Sequence, residues 1–320
     1  MNISAFMELH YRHFNARETL DAARGYRKHI DDGGAMLVSL AGAMSTAEIG
    51  VSLAEMIRAG KVHAISCTGA NLEEDLFNLF AHNEYKVIEN WRALSAADEV
   101  ALLEDGFNRV TDTCIPETVM KHMESRLLKY WIEAADKGES YFPYEYMFRI
   151  LDEPDLKQHY QIPIEHSWMM AAKDAGIPVF SPGIEDSTLG NMFAARVIDG
   201  TVKSHNALKS GTAQMEHLVK WYRDTSKQKN IGFFQIGGGI AGDFAICAVP
   251  LLIQDLEEDV SRWGYFCQIS DAETSYGGYS GAVPNEKITW KKLTTATPKY
   301  MIHSDASIVA PLIFAYVMGQ

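Results

Sequence analysis

The chain has 320 residues, 47% of them hydrophobic, and a formal net charge of −13. This composition can fill a large apolar core, and no linker, repeat or low-complexity tract divides the chain, so a single domain over residues 1–320 is expected. The acidic balance argues against nucleic acid as a partner, because phosphate binding requires a basic surface.

Short apolar and β-branched runs recur along the chain, each followed by small or acidic residues and then by a helical pattern. They predict strands at residues 35–40, 62–67, 177–180, 230–236, 265–270 and 300–303. A C-terminal helix follows the last strand, and the interval 84–166 is predicted to be mostly helical. The repeated units predict an α/β fold, namely a Rossmann-like parallel sheet with helices on both faces and a helical insertion.

The four cysteines (Cys67, Cys114, Cys247 and Cys267) form no CxxC pair, and they are expected to be reduced, mostly buried thiols. No metal site is predicted. The N-terminus mixes charged and apolar residues too finely for a signal peptide, and the longest apolar run, Ala306–Met318, is too short to span a bilayer. We therefore expect a soluble, cytoplasmic protein without membrane contact.

Loops at the carboxyl ends of parallel strands line the ligand crevice of such a sheet. The residues of these loops that suit ligand binding are Ser45, Thr68, Glu73, Glu74, Asp186, Gly238, Gly239, Asp271 and Asp305. Glycine and carboxylates dominate this set, as a site for ribose hydroxyls, a pyrophosphate and a cationic substrate requires. For the carboxylates after the second strand, the alternative is that they only complement the dipole of the next helix.

Residues 237–242 (GGGIAG) fit the GxGxxG pattern between a predicted strand and a predicted helix. Glycines there allow backbone N–H groups to approach a pyrophosphate, and the helix N-terminus favours its negative charge. The match lies late in the chain, and the acidic residues beyond it follow a helix rather than a strand. A purely structural tight turn is therefore the alternative to nucleotide binding.

The segment 284–293 (PNEKITWKKL) carries Glu286, Trp290, Lys291 and Lys292. Adjacent lysines commonly form a solvated face. A Trp and a Glu close by can instead desolvate one ammonium and so lower its pKa, which makes the amine nucleophilic toward an imine or carbonyl carbon.

Six segments together resemble deoxyhypusine synthase and its bacterial relatives: LAGAMSTAEIG, ISCTGANLEEDL, IPVFSPGIEDSTLGNM, GGGIAGD, SGAVPNEKITWKKL and SDASIVAPL. The resemblance implies an NAD-dependent transferase that moves a 4-aminobutyl-type group from a polyamine or diamine donor to an acceptor amine through a lysine imine. It identifies Lys292 as that lysine, with Trp290 and Glu286 as its catalytic and substrate-binding neighbours. The implied NAD contacts are Ser45, Thr68, Glu73, Glu74, Asp186, Gly238, Gly239 and Asp305.

Several positions depart from the family pattern. Asp243 replaces the active-site histidine and can itself take a proton. Asn191 and Tyr279 replace two carboxylates that hold polyamine nitrogens, and Gly42 replaces an asparagine. Fewer carboxylates weaken the case for trivalent spermidine, so we expect a diamine such as putrescine or agmatine, for which the Tyr279 ring is suited.

The resemblance further implies a homotetramer of tight dimers, with the site at the dimer interface. The acceptor is either a small amine or a protein lysine. Two other functions remain open. A catalytically silent NAD-binding paralogue that regulates a partner subunit fits the altered residues but not the retained Lys292. A simple NAD-dependent amine dehydrogenase would release NADH steadily, whereas the transferase shows no net redox change.

Overall fold

The computed structural model describes residues 1–273, 278 and 280–320. Its strands are β1 (Ala35–Leu40), β2 (Ala64–Cys67), β3 (Lys86–Val87), β4 (Phe107–Val110), β5 (Thr113–Pro116), β6 (Val179–Phe180), β7 (Ile231–Ile236), β8 (Tyr265–Ile269) and β9 (Lys299–Ile302). Six of them form a wholly parallel sheet in the order β6-β2-β1-β7-β8-β9. All six strands predicted from the sequence are therefore confirmed, with ends shifted by up to two residues.

The helices of the described residues are α1 (Ile3–His10), α2 (Phe14–Asp31), α3 (Gly50–Arg58), α4 (Gly69–Ala81), α5 (Ala96–Glu104), α6 (Glu117–Lys137), α7 (Pro143–Leu151), α8 (Trp168–Ala175), α9 (Thr188–Ile198), α10 (Gly211–Ser226), α11 (Gly239–Ile246), α12 (Ala248–Pro250), α13 (Glu286–Thr289) and α14 (Ala306–Met318). Short 3-10 turns lie at His82–Glu84, Trp91–Ala93, Leu156–His159, Ile164–His166 and His205–Ala207, and a π-helical turn at Leu251–Asp255. Within the described residues, no helix is long and apolar enough to cross a membrane.

The parallel sheet is covered on both faces. Every residue of β1 is buried, and its side chains alternate between two apolar clusters. Met36 and Val38 pack in the cluster that includes α2, α3 and α14, whereas Ala35 and Leu37 pack in the cluster that includes α10, α11 and α12. Burial on both faces explains why these strands are continuous apolar runs.

The interval 84–166 corrects one expectation. Helices α5, α6 and α7 do lie there, but β3, β5 and β4 also form a three-stranded antiparallel sheet. These strands are only two to four residues long, and β3 and β4 are exposed or half-exposed. A short strand with one solvated face has no continuous apolar run, so the pattern that predicted the buried strands missed these.

The four cysteines are free thiols, and Cys67, Cys114 and Cys267 are buried. Burial raises the pKa of the Cys67 thiol to about 12. A thiol so protected from ionisation is a poor nucleophile, so Cys67 is a core residue.

Candidate active site

The site opens where the strand order changes direction. β1 and β7 are neighbours, yet the chain continues from β1 to β2 on one side and from β7 to β8 on the other. In sheets of this topology, ligands bind at the carboxyl ends of the strands that flank such a switch, here β1 and β7. Gly42 follows β1 and Gly237 follows β7 at this edge, with left-handed φ angles of 56° and 76°.

The glycine triplet after β7 makes the tight turn that enters α11. The Gly237 N–H donates to the carbonyl of Ile269 (2.8 Å), and a Cβ at Gly237 would lie 2.9 Å from the Cβ of Ala41. Gly238 is the N-cap of α11, and among the described residues no side chain caps this helix. Its first N–H groups are therefore left for solvent or for an anionic ligand.

Gly237 gives a direct test of the structural part of this turn. We expect Gly237→Ala to lower the free energy of unfolding by about 2–3 kcal/mol, because the left-handed φ and the contact with Ala41 both oppose a side chain. Gly239→Ala is the matched control: its φ is 66°, but no atom lies within 4 Å of an added Cβ. It should cost about 1 kcal/mol. Denaturant unfolding measures both, and equal losses would show that the contact with Ala41 has no effect.

Thr68 and Asn71 join the loops that follow β1 and β2. The Thr68 hydroxyl donates to the carbonyl of Gly42 (2.7 Å), which also accepts from the Asn71 amide (2.9 Å). The Ser45 hydroxyl donates to the carbonyl of Asn71 (2.7 Å) and accepts from the Trp168 indole (3.0 Å). Ser45 is buried, so within the described residues its hydroxyl serves to hold the crevice loop in place.

Glu73 caps a neighbouring helix. Its carboxylate accepts from the backbone N–H groups of Thr188 (3.1 Å) and Leu189 (2.8 Å), in the first turn of α9. The two helix ends are in close contact, since a Cβ at Gly69 would lie 2.5 Å from the Cβ of Ser187. The negative charge of Glu73 therefore stabilises the N-terminus of α9 rather than of its own helix.

Asp75 does the same for α8. It accepts from the Ser167 hydroxyl (2.6 Å) and from the backbone N–H groups of Trp168 (3.3 Å) and Met169 (3.1 Å). Burial nevertheless raises the pKa of Asp75 to about 6, because these hydrogen bonds offset only part of the desolvation of its charge.

Glu74 lies between these two capping carboxylates and caps no helix. Within the described part of the chain, the Thr46 hydroxyl donates to one of its carboxylate oxygens. Burial raises the pKa of Glu74 to about 7, and it raises that of Glu73 to about 7 as well. Of the three carboxylates, Glu74 is the one bonded to the loop residue Thr46 rather than to a helix N-terminus.

The start of α9 borders an open depression of about 630 Å³, lined by Asp186, Ser187, Thr188, Asn191, Met192 and Ala195. Asp186 is exposed there. The Asn191 amide N–H groups donate to the carbonyls of Glu185 (2.9 Å) and Ser187 (2.7 Å). Asn191 therefore offers this depression a neutral carbonyl oxygen and no charge.

Asp305 and Asp271 follow β9 and β8 at the same edge of the sheet. The exposed Asp305 carboxylate caps α14, accepting from the N–H and the hydroxyl of Ser307 (both 2.8 Å). Asp271 is also exposed, and its backbone carbonyl lies 2.9 Å from the His303 ring.

The lysine segment folds as the single turn α13 followed by a reversal. The Lys292 N–H donates to the carbonyl of Lys287 (3.0 Å), and Lys291 between them has a left-handed φ of 58°. The Lys292 ammonium lies 6.0 Å from the centre of the Trp290 ring. Lys292 is half-buried, whereas Glu286 and Trp290 are exposed.

Lys287 connects this segment to the helix that begins at the glycine turn. Its ammonium lies 4.8 Å from the centre of the Phe266 ring, and the side chain is half-buried. Burial lowers the pKa of Lys287, and the charge on Lys292 lowers it further, while Asp243 and Glu286 act in the opposite direction. Asp243, Glu286 and Lys292 therefore surround this amine closely enough to act on its charge.

Helix α11 links the glycine turn to the lysine segment. Gly238 lies at its N-terminus, where an added Cβ would lie 1.9 Å from the Ser280 hydroxyl oxygen. Asp243 lies one turn further along the same helix. The segment from Ser280 to Lys292 thus starts against the glycine turn and continues past Asp243.

The deoxyhypusine synthase family model matches residues 6–317. The chain belongs to the deoxyhypusine synthase family. It is 29% identical over 304 residues to a deoxyhypusine synthase-like protein of Nostoc punctiforme, covering 92% of this chain and 74% of that one. It is 25% identical over 314 residues to the protein named "Probable deoxyhypusine synthase 1" of Archaeoglobus fulgidus, with 96% and 90% covered.

The fold of the family is seen in a solved structure from Entamoeba histolytica that is described as a deoxyhypusine synthase candidate. The two structures superpose with a TM-score of 0.60 at 11% identity, over 100% of this chain and 94% of the other. At that identity the likeness concerns the fold alone.

In this member of the deoxyhypusine synthase family, the sequence-selected residues fall into separate groups. Thr68 and Ser45 belong to one network around Gly42. Lys292, Glu286 and Asp243 lie around Lys287, and Trp290 lies beside Lys292. Asp186 and Asp305 are exposed at the ends of other strands. Tyr279 lies outside the described residues.

Sequence reasoning missed two residues of the site. Lys287 belongs to no adjacent pair, and its approach to the Lys292 backbone depends on the left-handed turn at Lys291, which no sequence pattern signals. Asn71 is a single asparagine within a predicted helix and belongs to no recognisable motif, so the sequence does not indicate its role. Its amide and backbone bind Gly42, Thr68 and Ser45.

Proposed function

We propose that the chain is an NAD-dependent aminoalkyl transferase that works through an imine on Lys292. Family membership supports an aminobutyl transferase in general. The observation that carries the finer proposal is the grouping of Lys292 with Asp243 and the half-buried Lys287, beside the helix that starts at the glycine turn.

The residues at the crevice fit a dinucleotide. The N-terminus of α11 suits a pyrophosphate, and the side of Gly238 on which a Cβ would lie is occupied by Ser280, whose hydroxyl lies close to the glycine turn. The Glu74 carboxylate suits a ribose hydroxyl, with Glu73 supporting α9 beside it. When bound there, NAD would supply the hydride acceptor for oxidation of the donor amine.

The chain's own lysine would carry the transferred group. The neutral Lys292 amine attacks the carbon of the donor imine, and the departing amine leaves with a proton. An acceptor amine then attacks the Lys292 imine and releases the lysine, and return of the hydride reduces the product. Asp243 is placed to take and return protons in these exchanges.

For the donor we propose a diamine such as putrescine or agmatine rather than spermidine. Asn191 is neutral at a position where the family has a carboxylate, so the site holds a trivalent cation less strongly. A small amine or a protein lysine is proposed as the acceptor. Spermidine turned over as efficiently as either diamine would argue against this assignment.

A homotetramer with the site at a dimer interface is also part of the proposal. Large apolar side chains are exposed next to the proposed site residues: Ile240 (51%) follows Gly239, Trp290 (64%) precedes the lysines, and Ile308 (62%) follows Asp305. Exposed apolar groups of this size are typical of surfaces covered by a partner.

A borohydride trap tests the function. The protein is incubated with NAD and spermidine, putrescine or agmatine, then reduced, and adducts are located by peptide mass spectrometry. We expect a mass increment on Lys292 that identifies the donor. Binding of NAD without any adduct would favour the silent regulatory paralogue, and steady NADH production would favour the amine dehydrogenase.

A further inference from the structure

A row of buried polar side chains crosses the parallel sheet next to the glycine turn. The strand register aligns one such residue from each of β2, β1, β7 and β8, and all four are buried: Ser66, Ser39, Gln235 and Gln268. Two positions earlier in each of these strands, on the same face, the side chain is apolar. The sheet face that α11 covers therefore becomes polar only at its carboxyl edge, and we call these four residues the polar row.

Strand β8 holds Gly237 by both of its backbone groups. The Gly237 N–H donates to the carbonyl of Ile269 (2.8 Å), and the Gly237 carbonyl accepts from the side-chain amide of Gln268 (3.0 Å). The peptide that joins Gly237 to Gly238 lies between two glycines, so it can rotate at little steric cost unless something holds it. The C=O and the N–H of a trans peptide point in opposite directions. Holding the Gly237 carbonyl toward the polar row therefore directs the Gly238 N–H away from that row.

The rest of the polar row packs against α11 itself. The Ser66 hydroxyl donates to the carbonyl of Ala241 (2.6 Å). The Gln235 amide occupies the space beside Gly242 that a Cβ would need, so glycine allows the helix to lie close to the sheet. Helix α11 is thus fixed on the sheet by contacts that do not involve Gln268.

Burial of Gln268 is unfavourable on its own. The side chain is 1% exposed, and within the described residues its Oε1 atom has no hydrogen-bond partner. A buried acceptor without a partner lowers stability, whereas an apolar side chain of similar size would avoid that cost. The hydrogen bond to Gly237 is therefore the contact that distinguishes a glutamine here from a methionine or a leucine.

We propose that Gln268 is a positioning residue for the cofactor: its amide fixes the Gly237–Gly238 peptide, so that the Gly238 N–H faces the ligand at the N-terminus of α11. This inference rests on the proposed function, in which that ligand is the pyrophosphate of NAD. Gln268 itself touches no reacting group, and it acts through the backbone of the glycine turn.

Titration of the full-length protein with NAD tests this role. Gln268→Met keeps the length and most of the volume of the side chain but cannot donate a hydrogen bond. We expect the Kd for NAD to rise about tenfold, since one hydrogen bond that orients the binding N–H is lost. An NAD affinity equal to that of the wild type would overturn the inference.

Two further variants separate the hydrogen bond from packing. Gln268→Glu restores a donor at pH 6, because burial keeps its carboxyl group neutral, and its Kd should lie within about threefold of the wild-type value at that pH. Ser39→Ala removes a buried hydroxyl from the same row, and this hydroxyl has no hydrogen-bond partner among the described residues, so NAD affinity should not change. A glutamate variant as weak as Gln268→Met, or an equal loss in Ser39→Ala, would contradict the proposed role.

Hydrogen exchange without NAD distinguishes failure of this inference from failure of the proposed cofactor. In Gln268→Met, the N–H groups of Gly237 and Gly238 should exchange at least about tenfold faster than in the wild type. Faster exchange in a protein whose wild type does not bind NAD would retain Gln268 as the anchor of the turn and reject NAD as its ligand. Wild-type NAD binding together with unchanged exchange and affinity in Gln268→Met would retain the cofactor and reject the role of Gln268.

Discussion

Lys292→Arg should yield no borohydride-trapped adduct and lower group transfer by on the order of 10⁴-fold. Arginine keeps the positive charge and the length, but its guanidinium stays protonated and forms no imine under these conditions. Binding of NAD should change by less than about twofold, because Lys292 lies beside α11 and not at its N-terminus. The measurements are peptide mass spectrometry after trapping and a transfer assay with the best donor.

Lys291→Arg is the matched control for this variant. Lys291 is adjacent in sequence but exposed, so its replacement should leave both the adduct and the rate near wild type. Transfer that survives in Lys292→Arg and disappears in Lys291→Arg would assign the imine to the other lysine.

Glu74→Gln should make the protein more stable and its cofactor binding weaker. Burial raises the pKa of Glu74 from its usual value near 4.5 to about 7, so the folded protein binds a proton that the unfolded chain releases. Stability is therefore greatest below about pH 4.5, falls as the pH rises to about 7, and is constant above that. At pH 8, the neutral amide should raise the free energy of unfolding by about 2–3 kcal/mol, and the gain should nearly vanish at pH 5.

The opposite change is expected for the ligand. If the Glu74 carboxylate accepts a ribose hydroxyl, the loss of its charge should weaken NAD binding by about 10- to 100-fold. Denaturant unfolding at pH 5 and pH 8 and a fluorescence titration with NAD give the two quantities. Unchanged NAD affinity would remove Glu74 from the cofactor site.

Glu73→Gln provides the comparison. The Glu73 carboxylate accepts from two backbone N–H groups of α9, whereas an amide offers one acceptor and turns an NH₂ group toward the other N–H. We expect any gain from removing the buried charge to be offset by this lost cap. A stability gain equal to that of Glu74→Gln would contradict the distinction drawn between the two carboxylates.

The sequence predicts the parallel sheet well because its strands are buried on both faces. Residues 35–40 and 231–236 are mainly apolar runs and are buried throughout. A short run of this kind is typical of a central strand in a parallel sheet. The antiparallel strands β3, β4 and β5 could not be predicted this way, since their residues satisfy no apolar periodicity.

For the candidate site, the sequence predicts which residues lie at the carboxyl edge of the sheet. It does not predict which groups each of their side chains binds. Glu73, Glu74 and Asp75 are equivalent in sequence, yet successive helical residues point about 100° apart. The partners of Glu73 and Asp75 lie about a hundred residues away in α9 and α8, whereas the partner of Glu74 is Thr46, so the separation into two caps and one carboxylate bonded to a loop exists only in the fold. Nor does the local sequence pattern predict that the Lys287 ammonium lies over the Phe266 ring.

The pairing of β1 with β7 also bears on how the chain reaches its fold. Ala35 pairs with Ile231, so one edge of β1 has no native neighbour until the last third of the chain has left the ribosome. An unpaired apolar strand edge is a template for wrong pairing with other chains, and contacts this distant in sequence slow folding. The edge of β1 that pairs with β7 is therefore open to wrong pairing until residues 231–236 have been synthesised.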